Sequence, residues 1–385
     1  MIEKRLSGRK KHRIMVLMHD SLIPPESLDG YTEEEMLDWK TEYDVVTTLR
    51  EMGHEVFPIG VSDDLGIIRR AIVDRKPHVA FNLLEEFHGV GVYDQHVVSY
   101  LELKKQHYTG CNPRGLLLSH DKALCKKILT FHDIHTPGFF VVPRRRVAKR
   151  PTGFEFPLLV KSVSEDASLG ISQASVVRSQ QQLQEQTEHV HGEIETDALV
   201  ENFVEGRELY VGVIGNRRLK VLPIWEMVFK NAPDTQIIAT SRVKWDLQYQ
   251  RKMGVETEPA TDLDKRTVEK IQSVCRRVYR ALSLSGYARM DIRLTPDNEV
   301  FVLEANPNPN LSYGEDFAES AEKAGIDYEQ LLQKIITLGL GYQPSGVWFR
   351  RSCEVNYRSK LHEPIKKIAD VDGVDPDQLD CFSFR

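Results

Sequence analysis

Ala288-Arg289-Met290-Asp291-Ile292-Arg293, followed after the polar turn Thr295-Pro296-Asp297-Asn298 by Val302-Leu303-Glu304-Ala305-Asn306-Pro307-Asn308-Pro309, decides how this chain is read. Apolar and polar residues alternate on the near side of the turn, and the segment is predicted to form two adjacent strands. In that arrangement Asp291 and Glu304 lie side by side and face one cavity. Two carboxylates and the Asn306 amide make a hard oxygen ligand set, suited to Mg²⁺ shared with phosphates and water. Taken alone, the same residues also describe a solvated hairpin, and the choice depends on what stands upstream.

A chain of 385 residues has room for several compact lobes, each with its own core. Charged residues make up 28% and the net charge is −6, which disfavours general nucleic-acid binding. Lys4, Arg5, Arg9, Lys10, Lys11 and Arg13 form a basic arm, read as solvated. No apolar run reaches the roughly 18 residues of a membrane span, and no apolar segment follows the arm, so a cytoplasmic protein with no membrane partner is expected. Cys111, Cys125, Cys275, Cys353 and Cys381 are scattered without a CxxC spacing, which predicts reduced, mostly buried thiols rather than disulfides or zinc.

From Arg13 to about Ser119, strand-like runs (14–18, 56–61, 79–83) alternate with helical patterns (33–52, 65–75, 93–105), predicting a parallel α/β domain over residues 1–118. Residues 119–204 read as a central α+β lobe, with helices near 122–131 and 180–190 and strands at 139–142, 158–161 and 198–204. Residues 205–342 read as a third lobe, with strands at 209–214 and 219–223, a long helix over 264–284, and the acidic hairpin. Residues 343–385 are a weakly periodic tail.

Lys161 ends an apolar strand and leads into Ser164-Glu165-Asp166-Ala167-Ser168-Leu169-Gly170-Ile171, a small-residue loop able to cover phosphate with backbone N–H groups. It has neither the GxxxxGK[ST] nor the GxGxxG spacing, so the two commonest nucleotide-binding motifs are excluded. Singly, Lys161, Ser168 and Gly170 are also ordinary strand-end and turn residues. Leu199-Val200-Glu201-Asn202-Phe203-Val204-Glu205-Gly206-Arg207-Glu208 reads either as a strand offering its backbone to adenine with Glu208 at the ribose, or as an interlobe linker with solvated acids. Only the ordered combination is specific.

That combination, Asp121-Lys122, Lys161, Glu165 to Gly170, Val200-Glu201 to Glu208, Arg289-Met290-Asp291 and Leu303-Glu304-Ala305-Asn306, resembles the ATP-grasp superfamily, in its D-alanine:D-alanine ligase-like branch. The stretch from Phe81-Asn82-Leu83 to Tyr108-Thr109-Gly110 is similar to that branch's preceding domain. The resemblance implies an α/β ATP-grasp fold, two lobes clamping ATP behind an amino-terminal parallel domain. It places Lys122 and Lys161 on the ATP phosphates and Ser168 and Gly170 in the covering loop. Glu201 and the Val204 backbone would read adenine, Leu303 would floor it, and Glu208 would hold the ribose. Asp291, Glu304 and Asn306 would hold Mg²⁺, as two ions, with Mn²⁺ as a substitute. Arg289, Lys244 and Lys161 would serve catalysis, Lys244 closing over the γ-phosphate.

The implied reaction activates a carboxylate as an acylphosphate and joins it to an amine with release of ADP, with no protein nucleophile. The alternatives are a phosphotransferase that stops at a phosphorylated product and an ATP-binding regulatory protein. Departures from the branch concern the substrate. Met18-His19-Asp20-Ser21-Leu22-Ile23-Pro24-Pro25 lacks the branch's substrate-orienting glutamate, Ala167 and Trp245 stand where its serine and tyrosine partners fall, and Asn308-Pro309-Asn310-Leu311-Ser312 replaces a Ser-Pro-Gly turn. These changes imply small-molecule substrates other than a D-alanine pair: another carboxylate and amine, as amino acids, peptides or a specialised metabolite. Glu85, His88, Asn308, Ser312 and Tyr313 are the candidate substrate contacts, by position in the chain. Arg144-Arg145-Arg146 reads as a solvated loop or a dock for an acidic group, and a homodimer would suit the resemblance.

Overall fold

A computed structural model describes residues 10–164, 172–231 and 247–344. The basic arm up to Arg9, Ser168, Gly170, Lys244 and the tail beyond 344 lie outside the described residues. One compact unit extends to Tyr342 and a second begins at Gln343.

The first sheet is parallel, β1 (Arg13–Met18), β2 (Glu55–Gly60) and β3 (Val79–Asn82), in the order β2-β1-β3. Strand β1 is apolar from Ile14 to Met18 because both its faces are covered. Ile14, Val16 and Met18 share a core with Val45, Val46 and Leu49 of the Lys40–Glu51 helix, while Met15 and Leu17 pack in a core with Ile68, Val97, Val98 and Leu101. The helix expected over 33–52 is two, Glu33–Leu37 and Lys40–Glu51. The break falls at Trp39, whose indole is wedged between Tyr31 and Tyr43, with ring centroids 5.3 and 5.9 Å away. Helix Leu65–Arg75 forms where expected, capped by Asp64. The next helix is shorter than expected, Asp94–Leu103, and is entered through a 3₁₀ turn.

The second sheet is antiparallel, β4 (Phe139–Val142), β5 (Leu158–Ser162), β6 (Val176–Val177) and β7 (Ala198–Asn202), in the order β4-β7-β5-β6. Helix Gln180–His189 contributes Leu183 to its core. The third sheet, also antiparallel, runs β10-β9-β8-β11-β12: β8 (Arg207–Ile214), β9 (Lys220–Phe229), β10 (Val255–Pro259), β11 (Tyr287–Leu294) and β12 (Val300–Asn306). Strand β9 extends well past the expected 219–223 because its partner β10, unrecognised in the sequence, continues the ladder.

Period-two alternation divides the third sheet into a core face and a site face. Leu209, Val211 and Val213 of β8 and Ala288, Met290 and Ile292 of β11 join a core with Ile271, Cys275 and Val278 of helix Lys265–Ala281. Alternation leaves Glu208 and Tyr210, and Arg289, Asp291 and Arg293, on the opposite face. Four described helices that the sequence reading missed, Pro113–His120, Leu247–Met253, Asp316–Lys323 and Tyr328–Gly341, complete the unit. The last packs Leu331, Leu332, Ile335 and Ile336 into the core with β1 and β3, tying the end of the unit to the first sheet. The seam is tight at Gly286 (φ +72°), where a Cβ would stand 2.5 Å from the Gly110 carbonyl oxygen.

Candidate active site

The basic half of the site grows from helix Lys122–Phe131, capped by Asp121 accepting from the Leu124 N–H at 2.8 Å. The Lys122 N–H donates to the Val163 carbonyl at 3.0 Å, which fixes the helix start against the end of β5. Lys122 and Lys126, four residues apart, share one face, and both are buried. Across from them, Glu201 of β7 is in register with Leu159 of β5, and Lys161 with Leu199, so Glu201 and Lys161 are diagonal neighbours. Lys161 Nζ lies 2.9 Å from Glu201 Oε1, and Lys126 Nζ lies 2.8 Å from Oε2. Burial pushes the Glu201 carboxyl up, but the Lys126 and Lys161 ammoniums outweigh it and hold the group below the usual carboxylate range.

The acidic half is the hairpin of β11 and β12, which pairs Asp291 with Glu304 and Arg289 with Asn306, with a bulge between Asp291 and Ile292. Arg289 donates from Nε and Nη2 to the two oxygens of Asp291, at 2.7 and 2.9 Å, and from Nη1 to Asp316 Oδ2 at 2.8 Å. Its guanidinium lies 4.7 Å from the centre of the Tyr210 ring. Burial works against its charge, but Asp291 and Asp316 more than compensate, raising it well above its ordinary range. Glu208 accepts from Arg293 Nη2 at 2.7 Å and from the Tyr210 hydroxyl at 3.1 Å. Burial pushes the Cys125 thiol of helix Lys122–Phe131 up to about 12, with smaller influences from the charges of Lys126, Glu304, Lys122 and Lys161.

Among the described residues no group of three His, Cys, Asp or Glu is arranged to hold a metal ion. The hairpin offers two carboxylates and an amide, a donor set that fits a Mg²⁺ completed by phosphate oxygens and water. Asp291 is held by Arg289, and Asn306 Oδ1 accepts the Asn308 N–H at 3.1 Å, so both would have to exchange partners to serve as ligands. Val204 and Leu303 are half-buried, the former between β7 and β8 and the latter on β12.

Of the candidate substrate residues, Glu85 and His88 are exposed on the loop after β3, His88 in a left-handed conformation (φ +59°) with its N–H on the Ser62 carbonyl. The others link the stretch after β12 to helix Lys40–Glu51 and to Cys111. Asn308 Oδ1 accepts the Cys111 N–H at 3.1 Å, and the buried Ser312 hydroxyl bonds Thr41 Oγ1 at 2.7 Å. Tyr313 is exposed; its N–H donates to Asp44 and its carbonyl accepts from Lys40 Nζ. Ser312 does not cap the following helix, whose N-cap is Glu315. The exposed Arg144 donates its N–H to Asp197 at 2.8 Å.

Sequence reasoning missed Lys126, Tyr210, Arg293, Asp316 and Glu42. Lys126 is one helical turn from Lys122, and Arg293 one strand period from Asp291, so both carried a readable signal. Glu42 carried one too, since it occupies the buried stripe 42-45-46-49 of its helix. Burial, with Glu85 adding to it, raises its carboxyl to about 7. Asp316 had no local signal.

Residues 128–337 match the family described as D-ala D-ala ligase C-terminus. The chain is 28% identical over 310 residues to a D-alanine:D-alanine ligase of Aquifex aeolicus, an alignment covering 80% of this chain and 98% of that one. It is 30% identical over 314 residues to the corresponding ligase of Syntrophotalea carbinolica, covering 80% and 93%. The crystal structure of a Bacillus anthracis D-alanine:D-alanine ligase complexed with ATP superposes with a TM-score of 0.66 at 24% identity, covering 86% of this chain and 97% of that chain. The expected ATP-grasp fold is thereby established.

Proposed function

We propose that this chain, which belongs to the D-alanine:D-alanine ligase family, is an ADP-forming ligase that joins a carboxylate to an amine, the substrates being amino acids or small peptides. The observation that carries the reading is the buried triad in which Lys126 and Lys161 each hold one oxygen of Glu201, with buried Lys122 on the same helix face as Lys126 and with Asp291 paired to Glu304 on the β11–β12 hairpin. Such a set of buried charges is matched to a polyphosphate and its cation. Lys122 and Lys161 neutralise the phosphates, and Glu201, the Val204 backbone and Leu303 receive the base. Asp291, Glu304 and Asn306 are the residues that would hold Mg²⁺, whose contribution when bound is charge neutralisation along the polyphosphate. In this reading the substrate carboxylate attacks the γ-phosphate, and the acceptor amine then displaces phosphate from the acylphosphate. Arg289, fixed from two sides and backed by Tyr210, is placed to stabilise the charge that develops in both steps. Lys244 would contribute to the first of them.

The first domain supplies the outer wall of the substrate site, with Glu85 and His88 on its rim and Glu42 beneath. The test is an ADP-release screen of amino acids and dipeptides, singly and in pairs, with mass spectrometry of the products. ADP release that needs both partners and yields an amide supports the reading. Amine-independent turnover that leaves a stable phosphorylated product would sink it.

A further inference from the structure

Glu201 has one cation on each carboxylate oxygen, and the two lysines are held differently. Lys126 is only 1% exposed, sits mid-helix, and besides its ion pair with Glu201 donates a hydrogen bond to Thr136 Oγ1 at 2.7 Å. Thr136 in turn donates to the Val302 carbonyl of β12 at 2.9 Å, so Lys126 is anchored to both the second and the third sheet. Lys161, by contrast, is paired with Glu201 and stands next to the end of β5, where the chain leaves the sheet. Two ammoniums against one carboxylate leave the triad with an excess positive charge, which a polyphosphate would draw on. Lys161 is the lysine able to go.

We propose that Lys126 is a positioning residue for base selectivity: it keeps Glu201 ionised and oriented when Lys161 turns to the phosphates, so that the carboxylate accepts from the exocyclic amine of adenine and repels the oxo group of guanine. The proposal rests on the reading that the nucleotide lies between the second and third sheets. An ionised carboxylate only accepts hydrogen bonds. It matches an amino group and leaves an oxo group facing a like-signed oxygen, a mismatch that buried sites reject strongly. Without Lys126, Glu201 is left alone in a buried place once Lys161 turns to the phosphates, takes up a proton and becomes able to donate. That change weakens ATP more than GTP.

Calorimetric titration with Mg-ATP and Mg-GTP reads this directly, independently of turnover. The parent is expected to prefer ATP by about 100-fold or more. Lys126→Met is expected to lower that ratio by about 10-fold or more, and Lys126→Arg to restore most of it. Thr136→Val keeps the lysine but removes its second anchor, and is expected to move the ratio the same way by a smaller factor. An unchanged ratio in Lys126→Met, with both nucleotides weakened alike, would show a merely structural lysine and overturn the proposal. Should Lys126→Met fail to fold by circular dichroism, an unchanged ratio in Thr136→Val overturns it instead. A parent that binds neither nucleotide would refute the underlying functional reading, and the proposal with it.

Discussion

Replacing Glu42 by Gln removes a titrating group from the interior, and the consequence can be worked through. Glu42 lies in the first turn of helix Lys40–Glu51, 6% exposed, with its carboxyl raised from 4.5 to about 7 by burial first and by Glu85 in addition. The folded state therefore holds a proton that the unfolded chain releases between those two values. Stability from this group is fully present below about pH 4.5 and is lost as pH rises through about 7. The whole displacement is worth about 3 kcal/mol, of which about 2.5 kcal/mol falls between roughly pH 5 and pH 8.5. Glutamine has the same shape and does not titrate. Whatever pH-independent cost its buried amide carries cancels when the difference between variant and parent is compared at the two pH values. Urea denaturation at both is expected to show the variant gaining about 2.5 kcal/mol on the parent as pH rises. Parallel pH profiles would mean that Glu42 is solvated or paired in solution, and the reasoning from burial would be wrong.

Glu304→Ala is expected to abolish Mg²⁺-dependent ADP release while leaving the circular dichroism spectrum intact; unchanged activity would remove Glu304 from the metal set. Arg289→Lys keeps the charge but cannot reproduce the fork onto Asp291 together with the bond to Asp316, so kcat should fall by about 100-fold or more with a smaller change in KM. Glu201→Gln leaves two buried ammoniums facing a neutral amide, and should cost about 3 kcal/mol or more in denaturant titrations. Gly286→Ala forces a Cβ to within 2.5 Å of the Gly110 carbonyl at a φ of +72°, and should lower the melting temperature measurably; a wild-type value would show that the seam between the first domain and the third sheet relaxes freely.

Much of this molecule was legible before any tertiary structure. The β1 to β3 runs, helix Lys122–Phe131 and the hairpin were readable because their signals are local: period-two or period-3.6 apolar patterns, and turn residues such as Pro296, Asp297 and Asn298. The pairing of Asp291 with Glu304 followed from strand geometry alone. Helices Pro113–His120 and Asp316–Lys323 were missed because they are short, although the first carries a local start signal in its Asn112 cap and Pro113. Trp39 broke an otherwise continuous helical pattern for a reason that lies in Tyr31 and Tyr43.

What the sequence by itself determined was the set of chemical groups and their order: lysines, then a glutamate-rich strand, then two carboxylates and an amide. Which group answers which was decided by the tertiary structure alone. Lys126 pairs with Glu201, Asp316 shares Arg289 with Asp291, and Asn308 and Ser312 become ties between distant stretches of the chain. The physical reason is that a buried charge is satisfied by whatever lies within a few ångströms of it in space. Arg289 and Asp316 are far apart along the chain, and no local pattern encodes their meeting.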